Sequence, residues 1–201
     1  KGDYLALATM GFSFVVYSTL LNWTELTRGP LGIPGIPRPQ IFNFNFSDNF
    51  SYLILSFIIA LLTFLIIKRI IETPFGKVLQ AIRDNELVVR VLGKNSFKIK
   101  TISLMIASFF AGLAGSLYAH YISFIDPSSF TLLQLIPILS IVIVGGLASL
   151  KGTIIATIIL TLLPEPLRFI GFPSSIVGPM RQIIFALILL LILIYKPKGF
   201  W

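Results

Sequence analysis

The sequence contains no cysteine, one histidine and few charges: only 12% of its 201 residues are Asp, Glu, Lys or Arg. Without cysteine there is no disulfide framework, no thiolate nucleophile and no Cys-ligated metal. That absence is silent about compartment, because a lipid-embedded fold needs no such staples. The shortage of charge is more informative. Soluble domains carry roughly 25% charged residues and about 45–50% apolar ones, whereas here the apolar share is 56%. A chain so poor in charge cannot cover a water-facing surface, so much of its exterior must face lipid. Acidic residues are scarcest, eight against sixteen basic ones, and none falls in the middle of an apolar run. Proton- or sodium-coupled carriers usually place ionisable groups at membrane depth, so this absence argues against a carrier of that kind. Paired carboxylates, Cys/His pairs and metal-ligand spacings are missing too, which argues against an integral membrane enzyme. There is no initiator methionine and no charged-then-apolar leader. The expectation is a fragment whose beginning is missing.

What is present is a series of apolar segments, set against the requirement of about 20 residues per spanning helix. Six stand out: Tyr4–Leu21, Tyr52–Ile67, Thr101–Ile125, Leu132–Leu150, Thr153–Leu163 and Gln182–Tyr195. The fifth is short and is followed at once by Pro164 and Pro166, so a tilted or broken helix competes there with a plain span. The expected fold is all-α, a polytopic transmembrane bundle forming a single domain over residues 1–201. Between the segments lie a Gly/Pro-rich loop (Thr27–Gln40), a basic loop (Lys68–Lys100) and short connections at Asp126–Ser129 and Gly171–Pro179.

The basic residues set the orientation. Lys1, Lys68, Arg69, Lys77, Arg83, Arg90, Lys94, Lys98, Lys100, Lys151, Lys196 and Lys198 fall on one side, and Arg28, Arg38, Arg168 and Arg181 on the other, accounting for all sixteen. The positive-inside bias places the Lys68–Lys100 loop and the C-terminus in the cytoplasm. It also explains the net charge of +8 without a nucleic-acid partner.

The longest cytoplasmic loop is the most informative stretch. Thr73 then Pro74 reads as a helix start, a hydroxyl N-cap followed by proline at the first helical position. Phe75, Val78, Leu79 and Ile82 fall at i, i+3, i+4 and i+7 and define one apolar face. Glu86 and Arg90 form an i,i+4 pair, Gly93 with Lys94 and Asn95 supplies a stop, and Ser96 is placed to cap the next helix. The loop therefore holds an amphipathic helix of its own. It either lies on the bilayer with Lys77 and Arg83 at headgroups or docks a cytoplasmic partner. Asp84 and Glu86 favour the partner, since acids gain nothing from anionic lipid.

At this loop the sequence resembles a known family. PFGKVLQAIRDNELVVRVLG is similar to the coupling-helix region of permease subunits from branched-chain amino acid ATP-binding-cassette importers of the LivM type, where the pattern is close to PFGRALRAIREnEiAAealG. Matching positions are Pro74, Phe75, Gly76, Ala81, Ile82, Arg83, Asn85, Glu86, Leu92 and Gly93; Lys77 and Gln80 replace arginines, and Val88 and Val89 replace small residues. The resemblance covers essentially the whole chain. It includes GDYLALAT at 2–9, LTRGPLGIPGIPRP at 26–39 with Arg28 in place of a Gly, AGLAGSLYAHYISFIDPSSF at 111–130, VGGLASLKGTIIA at 144–156 and KPKGF at 196–200. Each motif alone is weak; their order is specific. Family members carry further helices before this point.

The resemblance implies a transport subunit that performs no bond chemistry, multi-pass in the bacterial inner membrane. Residues 72–95 would be its cytoplasmic coupling loop. Implied partners are a second permease subunit, two cytoplasmic ATPases that hold the ATP, an extracytoplasmic substrate-binding protein and the surrounding lipid; no cofactor is implied in this chain. Leucine, isoleucine or valine would be the solute. A urea or short-amide importer, and a secondary transporter or channel, remain as alternatives. The implied ATPase-coupling residues are Pro74, Phe75, Gly76, Val78, Leu79, Ile82, Arg83, Asp84, Glu86 and Gly93.

Five further features concern the bundle and its ends. Ala107, Ala111, Gly115 and Ala119 recur every four residues as a stripe of small side chains suited to close helix packing. Pro137, Gly145 and Gly146 interrupt the fourth segment, marking either a kinked, tightly packed helix or unwound backbone along a substrate path. The run GGLASLKGT lacks the spacing of a phosphate loop, so no nucleotide site is assigned. His120, without an acidic neighbour in sequence, reads as a packed or interfacial residue. Glu165 and Arg168 are spaced to pair at an outer helix end.

Overall fold

The computed structural model of the chain describes residues 2–41, 44–131, 134–146, 149–162 and 174–195. Glu165 and Arg168, Pro164 and Pro166, and the KPKGF segment lie outside them. The chain forms two compact units, Lys1–Asp126 and Pro127–Trp201.

The first unit holds helices α1 (Gly2–Asn22), α2 (Thr24–Thr27), α3 (Asn49–Glu72), α4 (Pro74–Asp84), α5 (Glu86–Val91) and α6 (Ser96–Ile122). It also holds four two-residue strands, β1 (Ile33–Pro34), β2 (Gln40–Ile41), β3 (Phe44–Asn45) and β4 (Phe124–Ile125). The three long helices sit on the first three apolar segments. α3 and α6 are long and apolar enough to cross a membrane. Their outward side chains, among them Phe57, Leu61 and Leu65 on α3 and Leu104, Met105 and Phe109 on α6, are exposed in the isolated chain, as helices that are apolar all round should be when lipid is their solvent.

Within this unit α3 and α6 are joined by Tyr52, whose hydroxyl donates to the Leu117 carbonyl at 2.6 Å and whose ring lies 5.6 Å from that of Tyr121. The Gly/Pro-rich loop is fastened over the same end. β1 pairs antiparallel with β4 through Ile33 opposite Ile125, and Gly35 N–H donates to the Ser123 carbonyl at 3.0 Å. His120 Nδ1 lies 2.7 Å from the Pro37 carbonyl, so the histidine is a packed residue holding this loop. Arg38 donates to the Ser47 carbonyl and, at 2.8 Å, to Asn49 Oδ1. Arg28, where the family pattern has Gly, takes the left-handed φ of +57°, a conformation that glycine adopts at less cost. On the small-residue stripe of α6, Ala119 is buried while Ala107 and Ala111 are exposed, and a side chain added at Gly115 would meet open space.

The second unit contains α7 (Leu135–Gly145), α8 (Leu150–Leu162) and α9 (Ser174–Tyr195). α7 packs on both of the others. Here the structure departs from the expected segment boundaries. The fourth segment does not continue to Leu150: α7 stops at Gly145, with Gly146 at φ +90° as its cap, and Ser149 accepts from Gly152 N–H to start α8. Eleven residues rise only about 16 Å, roughly half of a ~30 Å hydrocarbon core; the apolar stretch Pro127–Gly145, which includes the turn before α7, reaches spanning length. Gly145 lets α7 lie close against α8, since a Cβ there would sit 2.6 Å from Thr153 Cα. Pro137 lies in the first turn of α7, where proline forfeits no intrahelical donor. The buried Ser140 hydroxyl donates to the Ile136 carbonyl at 2.8 Å and reaches the Phe185 carbonyl at 3.4 Å, and Ala156, Leu160 and Phe185 complete the core. α9 begins eight residues before Gln182 and keeps Pro179 inside it, so part of the expected 171–179 connection is helical.

Candidate functional site

The polar loop between α3 and α6 is built from two short helices, where a single helix was expected. The turn out of α3 takes one residue. Thr73 is extended (φ −72°, ψ 164°), ends α3 and caps α4; its hydroxyl donates to the Ile70 carbonyl at 2.6 Å and accepts from Gly76 N–H at 3.4 Å. Pro74 then begins α4 with φ already set. A side chain at position 76 would overlap the carbonyl oxygens of Ile70 and Ile71. Glycine there lets α4 lie directly against the end of α3.

α4 presents the predicted apolar face, and that face is turned inward. Ile82 is only 7% exposed, while Phe75, Val78 and Leu79 are half-buried, and α4 packs on α3 and α6. Lys77, Arg83 and Asp84 line its outer side, with Arg83 paired to its neighbour Asp84 at 2.9 Å.

The break between the two helices lies at Asn85, and its cause is local chemistry. Asn85 is extended (φ −157°, ψ 101°), and its side-chain carbonyl accepts from Leu87 N–H at 3.1 Å and Val88 N–H at 3.3 Å. An Asx cap of this kind competes with continuation of the helix. The reading from Pro74 to Gly93 as one helix followed hydrophobic spacing and missed this competitor. After the break the apolar residues point both ways. Val89 is 4% exposed and faces the chain, but Leu87, Val91 and Leu92 are 72%, 87% and 73% exposed. Val88 and, at the start of α6, Phe97 are exposed as well. α5 ends as expected: Gly93 takes φ +74° and Lys94 N–H returns to the Val89 carbonyl at 3.2 Å. The cap of α6 is Asn95, which accepts from Lys98 N–H at 3.0 Å. Ser96, the expected cap, is instead the first helical residue and is buried.

Ser96 is buried because it belongs to a cluster around Glu86. One Glu86 carboxylate oxygen accepts from Arg90 Nη2 at 2.6 Å and from Ser96 Oγ at 2.9 Å; the other accepts from Lys100 Nζ at 2.6 Å. Arg90 Nε also donates to Ser96 Oγ at 2.9 Å. Lys100, then Ser96 and Arg90, hold the carboxyl at a pKa of about 2, below its ordinary 4.5. The Glu86–Arg90 pair was legible from helical spacing. The Lys100 contact, fourteen residues away, depends on the fold of the loop.

Of the residues expected to act at this loop, Pro74 to Ile82 lie along α4, mostly against the bundle. Arg83 and Asp84 face outward, Glu86 faces α6, and Gly93 ends α5. The exposed ridge of Leu87, Val88, Val91 and Leu92 was not singled out in advance. Its signal in the sequence was the presence of valines where the related pattern has small residues.

Apolar helices of spanning length joined by a compact polar loop define an integral membrane protein of the polytopic helical class. The chain belongs to the family of branched-chain amino acid transport system permease components, whose pattern matches residues 1–193. It is 33% identical over 224 residues to the high-affinity branched-chain amino acid transport system permease protein LivM of Escherichia coli, covering 99% of this chain and 51% of that protein. It is 31% identical over 213 residues to a probable LivM of Methanocaldococcus jannaschii, covering 99% of this chain and 60% of that one. A more distant match, 30% over 92 residues and 45% of this chain, is to the guanosine ABC transporter permease protein NupQ of Bacillus subtilis. The chain thus spans between half and three-fifths of the length of the LivM proteins it matches. No solved structure matches it.

Proposed function

We propose that this chain belongs to one of the membrane-embedded subunits of an ATP-binding-cassette importer for leucine, isoleucine and valine, and that the 72–95 loop is where it engages a motor. The partners are a second permease subunit, two cytoplasmic ATPases that bind and hydrolyse ATP, and an extracytoplasmic protein that delivers the solute. The protein lies in the plasma (inner) membrane of a bacterium, with the 72–95 loop and the C-terminus in the cytoplasm by the positive-inside bias. The chain performs no bond chemistry and needs no cofactor of its own.

The observation that carries this reading is the exposed apolar ridge of Leu87, Val88, Val91 and Leu92, in a loop rich in charge. Contiguous exposed apolar surface marks an interaction site. On this account the ATPase groove seats the α5 ridge, with Lys77, Arg83 and Asp84 at the rim, and α4 serves as the bracket that holds α5 in place. ATP-driven closure of the ATPases then moves the loop and switches the pathway between outward and inward access. In the bundle, the Pro137, Gly145 and Gly146 region remains a proposed part of that pathway, as a point where backbone departs from regular helix.

Co-expression with the two ATPases and the binding protein, followed by reconstitution into proteoliposomes, tests the proposal. ATP-dependent uptake of branched-chain amino acids that requires all components is expected. Uptake by the permease without ATPases would assign it to a channel or secondary carrier, and uptake of urea or amides in preference would replace the solute class.

A further inference from the structure

Docking on the α5 ridge leaves unexplained the cluster on its opposite side. α5 is six residues long, too short to be stable by itself, and it is separated from α6 by the turn at 92–95. The Val89 side chain is buried, and the Glu86 cluster fixes α5 to α6. The cluster is closed on itself. Arg90 and Ser96 each bond to Glu86 Oε1 and to one another, while Oε2 takes Lys100, one turn further into α6. The carboxylate is therefore held along three directions by two helices. Asp84, the neighbouring acid, pairs with Arg83 on α4 and has no part in this tie.

We propose that Glu86 is a positioning residue that makes α5 and the first turns of α6 one rigid body, so that movement of a motor seated on the α5 ridge reaches the 27-residue helix α6 and is not absorbed by the turn at 92–95. This rests on the importer reading above. Partly exposed ion pairs contribute little to stability, so the signature of this role lies in coupling and not in folding. With the tie cut, the ATPases still bind and still hydrolyse ATP, but hydrolysis no longer drives the transmembrane helix.

The test uses the complete transporter in proteoliposomes, with Glu86→Gln and, separately, Lys100→Met. Solute moved per ATP hydrolysed should fall at least about fivefold, the lower end of common coupling factors, while ATPase co-purification and membrane abundance stay near wild type. Because the chain has no cysteine, Glu86→Cys with Lys100→Cys can then be bridged by a short bifunctional thiol reagent, and bridging should restore the ratio. An unchanged ratio in Lys100→Met, or a bridge that restores nothing, overturns the proposal. If Glu86→Gln lowers membrane abundance, Lys100→Met decides the matter, because it removes the contact that carries the tie past the first residue of α6 into its second turn. Failure of the wild-type complex to couple ATP to uptake would instead overturn the importer reading.

Discussion

The two short helices of the polar loop, α4 and α5, differ in a way that sequence spacing conceals. α4 has the cleaner amphipathic pattern, with Phe75, Val78, Leu79 and Ile82 on one face, and it spends that face on its own bundle. α5 has a mixed pattern and leaves Leu87, Val91 and Leu92 in the open. An apolar stripe therefore shows that a helix will be covered, without showing by what. On this loop the well-patterned helix packs on its own bundle, and the poorly patterned one carries the exposed apolar residues that the proposal makes the contact.

That contrast can be broken by mutation. The largest expected effect is on α4: Ile82→Ala, at a buried site, should cost about 2–5 kcal/mol of stability, read as a lower thermal midpoint of the detergent-solubilised protein. Equal stability would mean the face is not packed. Next comes the ridge. Val91→Asp with Leu92→Asp should leave folding and insertion nearly unchanged yet weaken ATPase association by about 2 kcal/mol or more, the threshold of an interface hot spot. If co-purification survived that change and was lost in Leu79→Asp with stability intact, the roles assigned to the two helices would be reversed. Gly76→Ala sharpens the bracket: the added methyl meets backbone carbonyls, and overpacking of this kind costs about 1–3 kcal/mol. Suppression of ATP-coupled uptake with α5 still protected from proteolysis is expected. Smaller still, Asn85→Ala removes the cap that separates the helices, at about 1 kcal/mol, and should raise amide exchange across α5 only.

The smallest effect concerns pH. Since the carboxyl of Glu86 is lowered to about 2 from 4.5 when folded, its contribution is fully present above about pH 4.5 and is lost as the pH falls toward 2. Amide exchange at the α5–α6 junction should differ between wild type and Glu86→Gln by a constant amount from about pH 5 to pH 8. A difference that changes within that range would show that another group titrates in the cluster.

Elements that follow from local chemistry were legible in the sequence. Thr73–Pro74 starts a helix because the hydroxyl and the fixed φ act within one turn, and Gly93 stops one because a left-handed residue is needed there. The first three apolar segments became long helices because lipid forces the backbone to satisfy itself. Local rules competed at Asn85 and at Asn95: hydrophobic spacing ran through the first, and the choice of Ser96 as cap missed the second by one residue. At Gly146 the glycine pair already marked an interruption of the apolar run, and a φ of +90° there ends α7.

What the sequence by itself determined was the membrane class, the succession of apolar segments and the location of the loop, since each depends on composition or on neighbours a few residues apart. Only the tertiary structure decided which face of the loop is covered, that Glu86 reaches Lys100, and that Gly76 and Gly145 sit under another stretch of backbone. Those outcomes depend on distances between residues far apart along the chain or across a turn, and no periodicity within one segment encodes them.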